Sequence, residues 1–186
     1  MKKLLKYCNL PIKLISLILL LLAVNGCFSI KPSTNKSGKK YFETFFVGDE
    51  GIQYFIKPFL FKAEKSSEEL ILDITFRYKN EIKDSAIVNF SINSSVIYKD
   101  IKNFKLSNSE IVIRSNNVEL LFNEKSKKGF TSRYSTKFSL AEIKEMFTTD
   151  AWKAVITNQN KMTIYKPHKK AIKTINALRE HVFVLM

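Results

Sequence analysis

The hydrophobic pattern of the chain changes period several times, and each change predicts an element. Leu70, Leu72, Ile74, Phe76 and Tyr78 alternate with Asp73, Thr75 and Arg77. A period of two puts one set on a buried face and the other in water, as in a half-buried β-strand. Ala86, Val88, Phe90 and Ile92 alternate with Asn89 and Ser91 in the same way. The polar stretch 79–85 between these runs predicts a hairpin. Shorter strands are expected at Ile111 and Ile113, at Val118, Leu120 and Phe122, and at Phe130, Tyr134 and Phe138. Ile52, Tyr54 and Ile56 begin another, which Pro58 is expected to break or confine to a sheet edge, because proline has no N–H to donate. The run from Trp152 to Tyr165 returns to strand around a turn at Asn158-Gln159-Asn160.

Two stretches carry helical spacing instead. Ser139-Leu140-Ala141-Glu142 matches a capping box, in which the Ser139 hydroxyl and the Glu142 carboxylate satisfy free backbone N–H groups. Leu140, Ile143 and Phe147 then share one face. Past Pro167, Ala171, Ile172, Ile175, Leu178, Val182 and Leu185 recur at three- and four-residue intervals, with Lys169, Lys170, Lys173 and Arg179 off that face. No internal repeat is present. The pattern predicts an α+β fold, mostly antiparallel β, either sandwich-like or a single sheet. A short helix near 139–148 and a C-terminal amphipathic helix accompany it.

Aromatic residues crowd the segment 41–61: Tyr41, Phe42, Phe45, Phe46, Tyr54, Phe55, Phe59 and Phe61. They fall on both faces of a strand, so this strand is expected to be central and covered on both sides. The alternative is that some of the rings are exposed and bind a partner.

The first residues follow a different logic. A basic leader (Lys2, Lys3, Lys6, Lys13) precedes the uncharged run 14–24, LISLILLLLAV. That run is about half of the roughly 20 residues a membrane-spanning helix needs. Its layout is that of a secretory signal. Val24-Asn25-Gly26-Cys27 then resembles a bacterial lipobox. The resemblance covers the leader and Cys27 only, and it departs from the commonest pattern at Val24, where leucine is usual. It implies cleavage between Gly26 and Cys27, acylation of Cys27 and a place in the bacterial cell envelope. In that family an aspartate after the cysteine retains many lipoproteins at the inner membrane, so Phe28 points to the outer membrane. Residues 1–26 are therefore expected to be a signal peptide. Residues 27–40, rich in Lys and Ser with Pro32 and Gly38, are expected to be a lipidated flexible tether. Residues 41–186 are expected to form one β-rich domain.

Charge sharpens this picture only partly. Four of the 31 basic residues and none of the 17 acids fall in residues 1–26, leaving 27 against 17, a formal +10. Such a surface suits anionic partners. The same lysines also accompany an excess of Asn, Ile and Phe, the signature of an A/T-rich genome, which requires no partner. The densest basic run is Lys166-Pro167-His168-Lys169-Lys170-Ala171-Ile172-Lys173. Lys166, Lys169, Lys170 and Lys173 are its candidate anion-binding residues.

Catalytic signatures are absent from the sequence. Cys8 lies in the leader and Cys27 in the lipobox, so the domain 41–186 has no cysteine for a disulfide, a metal site or a nucleophile. The two histidines, His168 and His181, do not have the spacing that places two metal ligands on one helical face. No metal and no cofactor are expected. The carboxylate pairs Glu68-Glu69, Asp49-Glu50 and Glu142/Glu145 are read as solvated charges. No G-x-S-x-G, P-loop or dinucleotide glycine pattern occurs. The expected function is that of a membrane-anchored, non-enzymatic binding or structural module of the envelope, with a protein, glycan or anionic lipid partner. Nucleic acid is disfavoured. The alternatives are an envelope assembly or transport accessory carrying a lipid or protein subunit, and a hydrolase whose site has no recognisable motif.

Overall fold

A computed structural model describes residues 40–79, 84–127, 129–158 and 161–186. The leader, Gly26, Cys27 and the tether up to residue 39 lie outside the described residues. Ten strands form one antiparallel sheet: β1 (Phe42–Phe46), β2 (Ile52–Ala63), β3 (Glu69–Tyr78), β4 (Ser85–Ser94), β5 (Ile101–Ser107), β6 (Val112–Ser115), β7 (Glu119–Ser126), β8 (Gly129–Ser139), β9 (Lys153–Asn158) and β10 (Lys161–Pro167). Two helices accompany them among the described residues, α1 (Leu140–Met146) and α2 (Lys169–His181). The order across the sheet is β6-β5-β9-β10-β2-β3-β4-β8-β7, with β1 also paired to β2. The fold is thus α+β and mostly antiparallel β, as the periodicity predicts.

The sheet is continuous, but it curls until its two halves face each other. Phe90 of β4 stacks on Phe104 of β5 at 4.2 Å between ring centroids, although β9, β10, β2 and β3 separate those strands in the sheet. Near the far end of the strand order, the Thr136 hydroxyl of β8 donates to the Ser115 hydroxyl of β6 at 2.6 Å. The enclosed face carries the core: Leu70, Leu72, Ile74 and Phe76 from β3, and Ala86, Val88, Phe90 and Ile92 from β4, are all buried. These are the even-numbered residues of each predicted ladder. β3 and β4 pair in the expected antiparallel register, with Leu72 opposite Phe90.

The helices close the inner side. The capping box at Ser139 forms as predicted, with the Glu142 N–H donating to the Ser139 hydroxyl at 3.2 Å and the Ser139 N–H donating to the Glu142 carboxylate at 3.1 Å. After α1, Phe147 stacks on Phe183 at 4.1 Å and meets Trp152 edge-on at 4.7 Å. α2 buries Ala171, Ile175 and Leu178 against the core. The helical spacing extended to Leu185, but the helix ends at His181, and the following turn of 3₁₀ helix (Phe183–Leu185) leaves Leu185 exposed.

Three further expectations change. β2 runs through Pro58 rather than stopping there. Two residues, Lys57 and Pro58, stand opposite Asp73 alone in a bulge between Ile56 and Phe59. On the other edge of β2, β1 pairs up to Ile56 and β10 begins at Phe61, so Pro58 sits where no ladder requires its N–H. β7 does form, but neither face of it is buried, because it lies at the end of the strand order. The aromatic strand β2 is central, yet only its inner face is covered. Phe59 and Phe61 are buried, whereas Phe45, Phe46 and Phe55 remain exposed. Gly51 is required at its turn: its φ is +91°, and a Cβ there would lie 2.4 Å from the Tyr78 carbonyl oxygen.

Candidate functional sites

The predicted basic run is divided by the fold. Lys166 lies on β10 and pairs with Glu64 at 2.6 Å. Lys169, Lys170 and Lys173 lie exposed on the first turns of α2. Lys170 and Lys173 are three residues apart and Lys169 and Lys173 four, so the three ammonium groups occupy one region of the helix surface. His168 is the N-cap of α2, its ring accepting from the Lys170 N–H at 3.4 Å. His181 ends the helix, where a cation is favoured by the helix dipole. The two histidines therefore sit at opposite ends of α2 and do not converge. Among the described residues no group of three or more His, Cys, Asp and Glu side chains comes together.

A second cluster departs from the sequence reading. Glu68, expected to be a solvated charge, is buried. Its carboxylate accepts from the Tyr98 hydroxyl at 2.8 Å and from the Tyr165 hydroxyl at 3.1 Å, and it pairs with the Lys161 ammonium at 3.2 Å. The physical reason is parity. Glu68 continues the ladder of Leu70, Leu72 and Ile74 by one step, so it shares their inner face while Glu69 points outward. Lys161, Thr163 and Tyr165 follow the same alternation on β10. That extension was readable in the sequence. Tyr98 was not, because it reaches the site from the connection between β4 and β5. The Tyr134 hydroxyl holds that connection by donating to the Tyr98 carbonyl at 2.7 Å, and the Tyr98 N–H donates to the Ser132 hydroxyl at 3.2 Å.

Burial of a carboxylate is costly unless its lone pairs are satisfied, and three donors satisfy this one. Burial pushes the Tyr165 hydroxyl well above the ordinary tyrosine range, with the neighbouring Tyr98 and Glu68 adding to the effect. Tyr98 is raised for the same leading reason. The Glu68 carboxylate holds the Lys161 ammonium above its usual range. Both tyrosines therefore remain hydrogen-bond donors at neutral pH. The arrangement orders the ends of β3 and β10, and both carboxylate oxygens are already engaged.

On the outer face, Arg133 donates to Asp73 at 2.8 Å and to the Ser91 hydroxyl at 3.0 Å, while the Asn89 amide donates to Asp73 at 3.0 Å. Two other carboxylates of the sequence pairs have structural partners: Glu50 pairs with Arg77, and Glu142 caps α1. No family model, no curated protein and no solved structure matches the chain.

Proposed function

We propose that the chain is a lipid-anchored protein of the bacterial cell envelope, held through Cys27, whose β-rich domain serves as a non-enzymatic binding or structural module. The observation that carries this reading is the sequence Val24-Asn25-Gly26-Cys27 at the end of an uncharged run, a short connection ahead of the first strand of a folded domain. The uncharged run 14–24 is about half of the roughly 20 residues a membrane-spanning helix needs, so this reading assigns the membrane attachment to lipid. Phe28 favours the outer membrane. The partner would be a protein, a glycan or an anionic lipid. The alternative of a lipid carrier needs an apolar interior cavity. Against that alternative, rings stack in the interior, Phe90 on both Phe104 and Tyr134. A cavity of about 470 Å³ is lined by hydroxyl, amide and charged side chains such as Ser67, Ser94, Asn93 and Lys127. A hydrolase of the glycosidase kind would need two carboxyls across a cleft. Glu68 has its oxygens occupied, and Glu69 points away.

Replacing Cys27 by serine in the producing cell tests the anchor. The Cys27→Ser protein is expected in the soluble fraction and the parent protein in the membrane fraction. Retention of the variant in membranes would overturn the reading.

A further inference from the structure

The molecule exposes large apolar side chains at one end of the sheet. Phe46 is 70% exposed, and it lies across from Ile52, which in turn pairs with Tyr78. The Tyr78 hydroxyl donates to the Met186 carbonyl at 3.4 Å, which brings the chain's last residues to this same end. There Val184 and Leu185 are 71% and 74% exposed. On the outer face of the same hairpin, Phe45 and Phe55 meet edge-on at 5.5 Å and are 48% and 41% exposed. Five large apolar side chains in water are more than single surface residues explain, and such an end marks a docking surface.

Among the described residues Glu43 pairs with Lys57 at 3.2 Å and Glu50 pairs with Arg77, while Asp49, Lys79 and Asp84 stand exposed at the rim of this end. The opposite end also exposes Val96, Ile97 and Met162, but there they stand among the exposed Lys65, Lys99, Lys127 and Lys161. α2 is about 20 Å long, and Lys169 and Lys170 start it away from Phe183, which packs on Phe76 near the apolar end. The lysines of α2 therefore start at the end of the helix away from the apolar residues.

We infer that the end formed by Phe45, Phe46, Phe55, Val184 and Leu185 rests in the interfacial layer of the bilayer that carries the lipid anchor. This inference rests on the anchor at Cys27. From Cys27 to Lys40 the chain can span at most about 45–50 Å. Phe46 lies roughly 20 Å from Lys40 along β1. The domain is thus confined near the bilayer, at an effective concentration high enough for a weak interfacial affinity to keep this end docked. Apolar side chains that dip into the boundary of headgroups and acyl chains bind in proportion to the apolar area they bury there. The driving force is apolar, so docking persists at high salt and on uncharged headgroups.

The test uses the full lipidated protein reconstituted in phosphatidylcholine vesicles with bromine-labelled acyl chains. Tryptophan is introduced by Phe46→Trp at the apolar end or by Met162→Trp at the opposite end. The native Trp152 is buried, and the unsubstituted protein gives its background. The emission of the Phe46→Trp protein is expected to shift to the blue and to lose intensity to the bromines, at low and high salt alike. The Met162→Trp emission is expected to stay unquenched. Protein that floats with the vesicles without quenching in the Phe46→Trp variant overturns the docking and leaves the anchor standing. Quenching at the Met162 site instead, or at both sites equally, overturns it as well. Quenching that disappears in salt or requires anionic lipid transfers the docking to the lysines. Protein that fails to float overturns the anchor and this inference with it.

Discussion

Strands β3 and β7 both carry large apolar residues at every second position, and they end in opposite environments. β3 buries Leu70, Leu72, Ile74 and Phe76 completely, whereas Leu120, Leu121 and Phe122 of β7 are all exposed. β3 has β2 on one side and β4 on the other, and a second layer of the curled sheet lies over its inner face. β7 has β8 alone. The hydrogen bond from Thr136 to Ser115 brings β6 against β8, so the enclosed layer stops there and leaves β7 outside it. A bulge between Leu120 and Phe122 also interrupts its alternation. Alternation thus reports that a strand could bury a face. Its place in the sheet decides whether it does. Glu119, Glu124 and Lys125 give the exposed strand the charges that discourage edge-to-edge association.

Substitutions can break or sharpen this contrast. The largest effect is expected at Phe90, beside β3, where truncation to alanine removes the stacks on Phe104 and Tyr134. Phe90→Ala should destabilise the domain by about 3–5 kcal/mol, while Leu120→Ala on β7 should change stability by no more than about 0.5 kcal/mol. Denaturant midpoints measure both, and equal losses would dissolve the distinction. A smaller difference is expected at the ends of the two strands. Glu68→Ala leaves the hydroxyls of Tyr98 and Tyr165 without their acceptor, at a cost of about 1–3 kcal/mol. Glu124→Ala removes an exposed charge and should be near neutral. A Glu68→Ala protein as stable as its parent would show that the buried carboxylate contributes nothing.

The last test is chemical, since β7 has no tyrosine. Burial pushes the Tyr134 hydroxyl up to about 12, with the charge of Asp100 adding to it, and Tyr98 and Tyr165 move in the same direction. An unfolded tyrosine loses its proton near pH 10, so above that pH the folded state holds more protons than the unfolded one. The stabilising contribution of Tyr134 is therefore complete below pH 10 and declines until about pH 12. The slope is about 1.4 kcal/mol per pH unit for one tyrosine. Tyr134→Phe should make that alkaline decline shallower by one proton. A parent protein whose stability is flat from pH 10 to pH 12 would refute the burial of these hydroxyls.

Much of the fold was legible because it is written in local periods. The even-numbered ladders of β3 and β4 are uninterrupted, and their inner residues are buried as read. The capping box at Ser139 and the spacing of Ala171, Ile175 and Leu178 are local signals of the same kind. β5 escaped the reading because a bulge between Ile101 and Asn103 displaces Phe104 and Leu106 from a continuous alternation. The exposure of β7 and of Phe45, Phe46 and Phe55 depends on which strands become neighbours, which no local period records. The Glu68 cluster was half legible. Parity assigns Glu68 and Tyr165 to inner faces, but their meeting requires β10 to lie beside β2, and Tyr98 arrives from a loop. The basic run was legible as composition only, since the pairing of Lys166 with Glu64 depends on the same non-local contact.

That contact between β2 and β10 also orders events in time. A ribosome delivers β2 near the beginning of the domain and β10 near its end, and the register joins Lys62 to Lys166. Until the last strand emerges, the half of β2 beyond Pro58 has one open edge, and Phe59 and Phe61 lack Trp152 and the final helix above them. Loop-closure entropy must be met before such distant pairings contribute, so chains of this topology assemble slowly. On the proposed reading of residues 1–26 as an export signal, this late assembly would keep the chain export-competent until its last strand arrives.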